Sequence, residues 1–303
     1  MQPIHSYLKK PLLALDSFIT HSFSWLPDHI YLRIRYRLNK GNWPNLRNPQ
    51  LFSEKIQWLK LYNHRPEYTK MVDKYEVKKI VSNIIGEKYI IPTLGIWDEP
   101  EDINWEALPQ QFVLKTTNGG GSGGVIICRD KEKISKDETL NKLKNSMKSS
   151  IYKSYREWPY KDVKPRIIAE KYIEGENGSL DDYKFSCFDG RVNDVMVCYD
   201  RGSGDTKFYF FDKEWNLLPL NVRGKNAPKG FSLPKPSCMD EMFGIAAKLS
   251  KGLPYARIDL YAVKGHPYFG EITFFPASGF DRNLLEETEI LHGSMINLPP
   301  KTI

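Results

Sequence analysis

The chain has 303 residues, 41% hydrophobic and 13% aromatic, which is apolar surface enough for one large core or two to three smaller ones and excludes a disordered chain. A net charge of +7 points to anionic partners, but the basic residues are scattered and no nucleic-acid-binding motif is present, so nucleic acid is not expected. Cys128, Cys187, Cys198 and Cys238 lack CxxC spacing and the histidines are dispersed, which speaks for reduced core thiols and against disulfides or zinc.

The run Pro11 to Ile19 is too short to span a bilayer, carries Asp16 and has no small-residue cleavage site, so neither a transmembrane segment nor a signal peptide is expected. Lys9 and Lys10 with Leu12, Leu13, Leu15, Phe18 and Ile19 suit an amphipathic helix, docked on the protein or in peripheral contact with a membrane. The expected location is cytoplasmic, with the inner membrane face as its variant. Residues 1 to about 65 read as helical, with Leu32, Ile34, Tyr36 and Leu38 interleaved with Arg33, Arg35, Arg37 and Lys40. Ser53 is an N-cap candidate before Ile56, Trp58 and Leu59, and Asp73 opens a helix through Val77, Ile80, Val81 and Ile84. Strands are expected at 89–92, 112–115, 125–128 and 167–170, and the lysine-rich stretch 135–156 has a helical tendency. Residues 182–188 and 191–197 read as a hairpin across Asp189-Gly190, a strong tight-turn signal. Loops at 201–205 and 223–235 and a helix at 238–251 follow, giving an α+β chain with mostly antiparallel sheet.

Three segments carry chemistry. In the first, Tyr255 to Val263 and Tyr268 to Phe275 flank a Lys264-Gly265-His266-Pro267 turn. Alternation puts Arg257 and Asp259 on one face with Glu271 and Thr273, and Ile258, Leu260, Ile272 and Phe274 on the other. A turn centred on Gly265 sets Asp259 across from Glu271. Facing carboxylates repel unless a cation separates them, and hard oxygen ligands suit Mg²⁺; a solvated strand face with an arginine–carboxylate pair is the alternative. The second segment is Asn118 to Gly124, in which Gly119, Gly121 and Gly124 match GxGxxG. Strands on both sides exclude a dinucleotide fold, and Val125 stands where a Walker A loop needs lysine. What remains is a glycine-rich hairpin tip, either a flap over phosphates or a loop without a ligand. Lys115 on the entering strand could meet α- and β-phosphates; because the lysine precedes the flap and HRD and DFG are absent, a protein kinase is excluded. The third segment, Arg166 to Gly175, could offer backbone groups to an adenine edge and Glu170 or Glu174 to ribose hydroxyls, or is an ordinary strand end.

The order of lysine strand, glycine flap, Glu strand, Lys184 strand, Asp strand and Glu strand resembles an ATP-grasp enzyme. Leu51-Phe-Ser-Glu-Lys-Ile-Gln-Trp-Leu-Lys-Leu-Tyr, Val72-Asp-Lys-Tyr, Phe112-Val-Leu-Lys, Arg156-Glu-Trp-Pro-Tyr, Arg166-Ile-Ile-Ala-Glu, Asp182-Tyr-Lys-Phe-Ser-Cys-Phe and Phe269-Gly-Glu-Ile-Thr-Phe resemble the TupA-like ATP-grasp family of bacterial surface-polysaccharide clusters, from Leu26 to Phe280. The resemblance implies an α+β ATP-grasp fold in which two antiparallel-sheet subdomains clamp ATP. Residues 1–70 would form a helical N-terminal region, 71–175 the subdomain with the flap, and 176–303 the one with the carboxylate hairpin.

By the same resemblance Lys74, or second Lys78, contacts the α-phosphate, and Lys115 and Lys184 reach phosphates. Gly120, Gly121, Ser122 and Gly123 cover them, and Glu170, Lys171, Tyr172 and Ile173 form the adenine hinge. Asp259 and Glu271 are implied as Mg²⁺ ligands and Arg257 as the group that stabilises the transferring phosphoryl. Thr273 stands where ATP-grasp ligases usually carry Asn, a weaker third ligand. Pro276 to Phe280, with Ser278, corresponds to the segment near the acyl phosphate and acceptor. The implied activity is an ATP- and Mg²⁺-dependent carboxylate–amine ligase joining an amino acid or amino sugar to a uronic acid of a surface glycan. Arg201, Arg223 and Arg282 are candidate carboxylate holders, since arginine forks match carboxylates. A sugar kinase, a glycosyltransferase and a non-catalytic nucleotide-binding protein are the alternatives; no DxD is present for the second.

Overall fold

The computed structural model describes residues 16, 19–20, 23, 25–120, 123–175, 180–200 and 205–302. Lys9 to Leu15 and Phe18 of the expected amphipathic helix, the flap tip Gly121–Ser122 and Arg201 lie outside them. Helix α1 (Asp28–Lys40) turns Tyr31, Leu32, Arg35 and Tyr36 inward and stops at Gly41, whose φ of 85° lets its N–H close on the Arg37 carbonyl. Helix α2 (Phe52–Tyr62) is buried along most of its length. Ser53 is not its cap: its hydroxyl pairs with Tyr36 (3.0 Å), and its N–H donates to Glu289 (2.8 Å). The Glu54 carboxylate takes over, accepting the backbone N–H groups of Asn45 (2.8 Å), Gln50 (3.0 Å) and Leu51 (3.2 Å). Helices α3 (Glu67–Val72) and α4 (Glu76–Ile85) follow. Asp73 lies between them and accepts from the N–H groups of Tyr75 (2.8 Å) and Glu76 (3.1 Å), which opens α4 as its sequence predicts.

The first sheet has the order β1-β4-β2-β3, with β1 (Thr93–Trp97), β2 (Phe112–Thr116), β3 (Val125–Cys128) and β4 (Ile167–Lys171), all antiparallel. The strand expected at 89–92 is displaced: Glu87–Tyr89 is a 3₁₀ turn and pairing starts at Thr93. Pro92 has no N–H to donate to a ladder, and only its carbonyl is used, by Lys171 (3.0 Å). Helices α5 (Lys136–Lys148) and α6 (Ile151–Tyr155) account for the lysine-rich stretch. Leu143 of α5 is buried with Phe112, Leu114, Ile167 and Ala169 in a core under this sheet.

The second sheet has the order β10-β9-β5-β6-β7-β8, antiparallel throughout. Its strands are β5 (Asp182–Phe188), β6 (Arg191–Tyr199), β7 (Lys207–Phe211), β8 (Leu217–Leu218), β9 (Ala256–Val263) and β10 (His266–Thr273). Asp189 (φ 49°) and Gly190 (φ 81°) make the expected turn between β5 and β6. Short α7 (Val222–Lys225) sits beside β7; α8 (Met239–Leu249) packs under the sheet, and α9 (Glu286–Met295) packs on α2. One core joins the buried faces of β5, β6, β9 and β10 to α8 and to residues from Phe52 to Tyr89. All four cysteines are buried and free.

The β9–β10 register has a cause the sequence pattern did not show. The turn is only Lys264 (φ 51°) and Gly265 (φ 73°); His266 and Pro267 already belong to β10. Continued without interruption, that register would set Glu271 opposite Ile258, on the apolar side. A bulge at Gly270 shifts it, so that Glu271 faces Asp259 and Thr273 faces Arg257. A Cβ at Gly270 would come within 2.9 Å of the Asp259 carbonyl, so only glycine fits the bulge without movement.

Candidate active site

One face of the second sheet gathers charge. Lys184 pairs across strands with Asp259, and Ser186 with Arg257. The Arg257 guanidinium grips both Asp259 oxygens (2.7 and 2.8 Å) and reaches Glu271 (3.2 Å) and the Thr273 hydroxyl (3.1 Å). The Lys184 ammonium bonds Asp259 and lies 3.4 Å from Asp182. Asp259 is buried, whereas the Glu271 side chain keeps 36% of its surface open. Burial alone would raise the Glu271 carboxyl, but Lys74, Arg257 and Lys184 outweigh it and hold it at about 2. Ile258, Leu260, Ile272 and Phe274 lie in the core behind, as alternation predicts.

The first sheet presents a matching face. Val113 pairs with Glu170 and Lys115 with Ile168, so these four side chains share one side. Glu170 is buried between Lys78 and Lys115, each 2.5 Å away. Burial raises its carboxyl, yet Lys115 and then Lys78 overcome that and leave it below its ordinary value. Beside this charge pair stands Ile127, paired with Val113 and 58% exposed. Ile127 thus shares the face of Val113, Lys115 and Glu170.

Lys74 connects the two faces. Its ammonium bonds the Gly119 carbonyl of the flap, and its N–H reaches the Thr117 carbonyl (3.3 Å). Burial pushes the ammonium down; Glu271 of the second sheet and Glu170 of the first oppose this, and Lys115 adds to it. The flap base is tied at Thr116, whose hydroxyl meets Ser146 of α5 (2.8 Å), and at Gly124, whose carbonyl accepts the Thr116 N–H (3.1 Å). A Cβ at Gly124 would run into both hydroxyls at 2.3 Å.

Lys60, Glu157 and Tyr160 were not among the expected site residues; they surround the Pro276–Phe280 segment that was. Ala277 (φ 45°), Ser278 (φ 56°) and Gly279 (φ 72°) are successive left-handed residues, strained at the first two. Buried Lys60 of α2 holds the turn, donating to the Ser278 hydroxyl (2.6 Å) and carbonyl (2.8 Å), while Gln57 donates to the same carbonyl (3.0 Å). Burial pushes the Lys60 ammonium down and the neighbouring Glu157 carboxyl up, each opposed by the other. Glu157 and Tyr160 also feel Arg257 and Glu271, which places the Arg156-Glu-Trp-Pro-Tyr motif at the site's edge.

A cavity of about 870 Å³ runs from Arg257 and Lys184 across the sheet, over Met196, Phe208 and Phe210, to Arg223 and Ala277. Of the three candidate carboxylate holders, Arg223 lines this cavity. Arg282 does not: it donates to the Leu38 carbonyl (3.1 Å) and Asn39 (3.2 Å) at the end of α1. Lys171 and Tyr172 end β4 at the surface, with the Tyr172 hydroxyl on Glu174 (3.0 Å) and Ile173 half-buried beside it. Gly120 and Gly123 border the undescribed flap tip. Among the described residues no group of three or more His, Cys, Asp and Glu could enclose a metal. Glu271, open on one side, could give an oxygen to a magnesium ion that completes its shell with phosphate oxygens and water, whereas Asp259 is held by Arg257, on both oxygens, and by Lys184, which would have to release it before it could ligate. Thr273 serves Arg257 and lies 3.4 Å from Glu271.

The family described as TupA-like ATPgrasp matches residues 54–297 of the chain. Among solved structures, the D-alanine–D-alanine ligase of Helicobacter pylori is similar at 17% identity over 82% of this chain and 69% of that one, with a TM-score of 0.47. The Bacillus anthracis D-alanine–D-alanine ligase complexed with ATP is similar at 20% identity over 75% of this chain and 63% of that one, with a TM-score of 0.44. A D-cycloserine synthetase follows at 13% identity over 75% of this chain and 69% of that one, with a TM-score of 0.41. None of the curated proteins compared matches the chain.

Proposed function

The chain belongs to the TupA-like ATP-grasp family, and from that premise we propose that it is an ATP-dependent carboxylate–amine ligase. The observation that carries the reading is the pair of charged sheet faces, Lys115–Glu170 on one and Arg257–Asp259–Glu271 on the other, with Lys74, bonded to the Gly119 carbonyl of the flap, in electrostatic reach of Glu271, Lys115 and Glu170. In it, the apolar strip of Val113 and Ile127 takes the adenine, the 170–173 hinge takes its edge, and Glu170 takes ribose hydroxyls. Lys74, Lys115 and Lys184 face the phosphates beneath the flap, to which Gly120 and Gly123 lend backbone N–H groups. Asp259 and Glu271, with Thr273 as a weak third donor, would hold Mg²⁺, which would supply charge neutralisation on the triphosphate.

The acid substrate occupies the 870 Å³ cavity, its distal charge on Arg223 and its reacting carboxylate at the Arg257 end. That carboxylate attacks the γ-phosphorus, ADP leaves, and an acyl phosphate forms while Arg257 neutralises the transferring oxygens. The flap keeps water from the mixed anhydride. The amine then attacks the carbonyl carbon, loses a proton and expels phosphate, which leaves an amide. Ser278, held by Lys60 and Glu157, stands at the acceptor end. The acid in this reading is a uronic acid of a surface glycan and the amine an amino acid or amino sugar.

Incubation with Mg–ATP, a panel of uronic-acid glycosides and an amino-acid and amino-sugar mixture tests this. ADP and phosphate appearing only with both substrates, with a condensed product by mass spectrometry, is the expected result. A phosphorylated sugar formed without any amine would replace the ligase by a kinase.

A further inference from the structure

The outer side of α1 has a composition that its inner side does not explain. Residues 25–47 contain four arginines and a lysine against one aspartate. The inward and lateral charges are spent: Arg35 on Asp16 (2.7 Å), Lys40 on Glu289 (2.6 Å), and Asp28 on Arg156 (2.9 Å). Arg33, Arg37 and Arg47 are exposed and make no ion pair among the described residues. Apolar surface lies between them: Trp25 is 73% exposed, Trp43 56% and Ile30 39%. Ile30, Arg33 and Arg37 follow one another at helical spacing on α1. The Arg33 guanidinium lies 6.0 Å from the centre of the Trp43 ring. Leu26 and Leu46 both pack on the Tyr31–Leu32–Leu61 cluster, so their chain neighbours Trp25 and Arg47, both exposed, leave the backbone beside the cluster that α1 also covers.

We propose that this face docks on an anionic lipid surface, with Arg33, Arg37 and Arg47 on headgroups and Trp25, Ile30 and Trp43 at the interface. A patch for a soluble polyanion needs the arginines alone. Three large apolar side chains held open among them suit a boundary that is charged on one side and apolar below, where Trp settles. Among the described residues no helix is long and apolar enough to cross a bilayer, so the contact is peripheral. The face is independent of the ligase reading, and its test does not depend on turnover.

The test is sedimentation of the full chain with vesicles of phosphatidylcholine alone and of phosphatidylcholine mixed with phosphatidylglycerol. Binding to the mixed vesicles that falls with salt is expected, with little binding to the neutral ones. Arg33→Glu/Arg37→Glu/Arg47→Glu, with an unchanged melting temperature, should weaken it roughly a hundredfold. Trp25→Ala/Trp43→Ala should weaken it roughly tenfold, and quenching of tryptophan fluorescence by brominated lipid should drop in Trp25→Phe/Trp43→Phe. Undiminished binding by the charge-reversed chain would assign the contact to another segment, the basic run at residues 9–15 foremost, and overturn the proposal. Equal affinity for neutral vesicles, or retention only on a soluble polyanion such as heparin, would also overturn it.

Discussion

Glu271 sits among Lys74, Arg257 and Lys184, and its protonation state reports on these three cations. Its carboxyl is held at about 2 against an ordinary 4.5 because Lys74, Arg257 and Lys184 surround it despite burial. Between those values the unfolded chain binds a proton here that the folded chain does not, so stability rises with pH. The contribution is complete above the ordinary value and is lost as pH falls toward the folded one. The stability difference between wild type and Glu271→Gln, from denaturant titration, should therefore narrow steadily from about pH 5.5 to about pH 3. A difference that stays constant or widens would show that the surrounding cations do not hold this carboxylate. At this scale the shared face of Arg257 and Asp259 was legible from alternation and Lys115 from its strand before the glycine loop, while Lys184 was singled out through the family resemblance. Lys60 and Glu157 were not, because a lysine and a glutamate inside helical and turn motifs read as solvent-facing until tertiary packing buries them.

The β9–β10 hairpin shows what an element adds to its residues. Its strands and their two faces follow from period-two alternation, but the facing of Asp259 and Glu271 depends on the Gly270 bulge. Gly270→Ala would place a methyl 2.9 Å from the Asp259 carbonyl and 3.2 Å from the Tyr261 ring. It should destabilise the fold by about 1–3 kcal/mol, as overpacking does, measured by chemical denaturation. Unchanged stability would mean the bulge is not tight. Pattern reading has no term for such a shift, because a glycine in a strand is equally consistent with a weak regular position. Cap choice failed at Ser53 for a related reason: Glu54 offered three backbone amides an acceptor, and the Ser53 hydroxyl went to Tyr36.

At the scale of the molecule, segments far apart in sequence share one core and one site. Residues from Phe52 to Tyr89 bury with the second sheet, yet Lys74 within that range bonds the flap of the first. Lys60, from the helix beside it, fixes the turn at Ser278. The succession of motif-bearing strands was readable locally, the two-sheet architecture came through the family resemblance, and β7 and β8 were not read. The bond from Lys74 to the flap, within electrostatic reach of Glu271, was not legible, since it requires packing between residues remote in the chain.

The central claim, that the two faces close on Mg–ATP, is tested most directly by the melting temperature with and without Mg–ATP, in wild type and in Glu271→Gln. At about a hundred times its dissociation constant the nucleotide should add about 2.7 kcal/mol to wild type, a rise of several degrees. Glu271→Gln should lose the magnesium-dependent part of that rise. No shift in wild type, or an undiminished shift in the variant, would contradict the account.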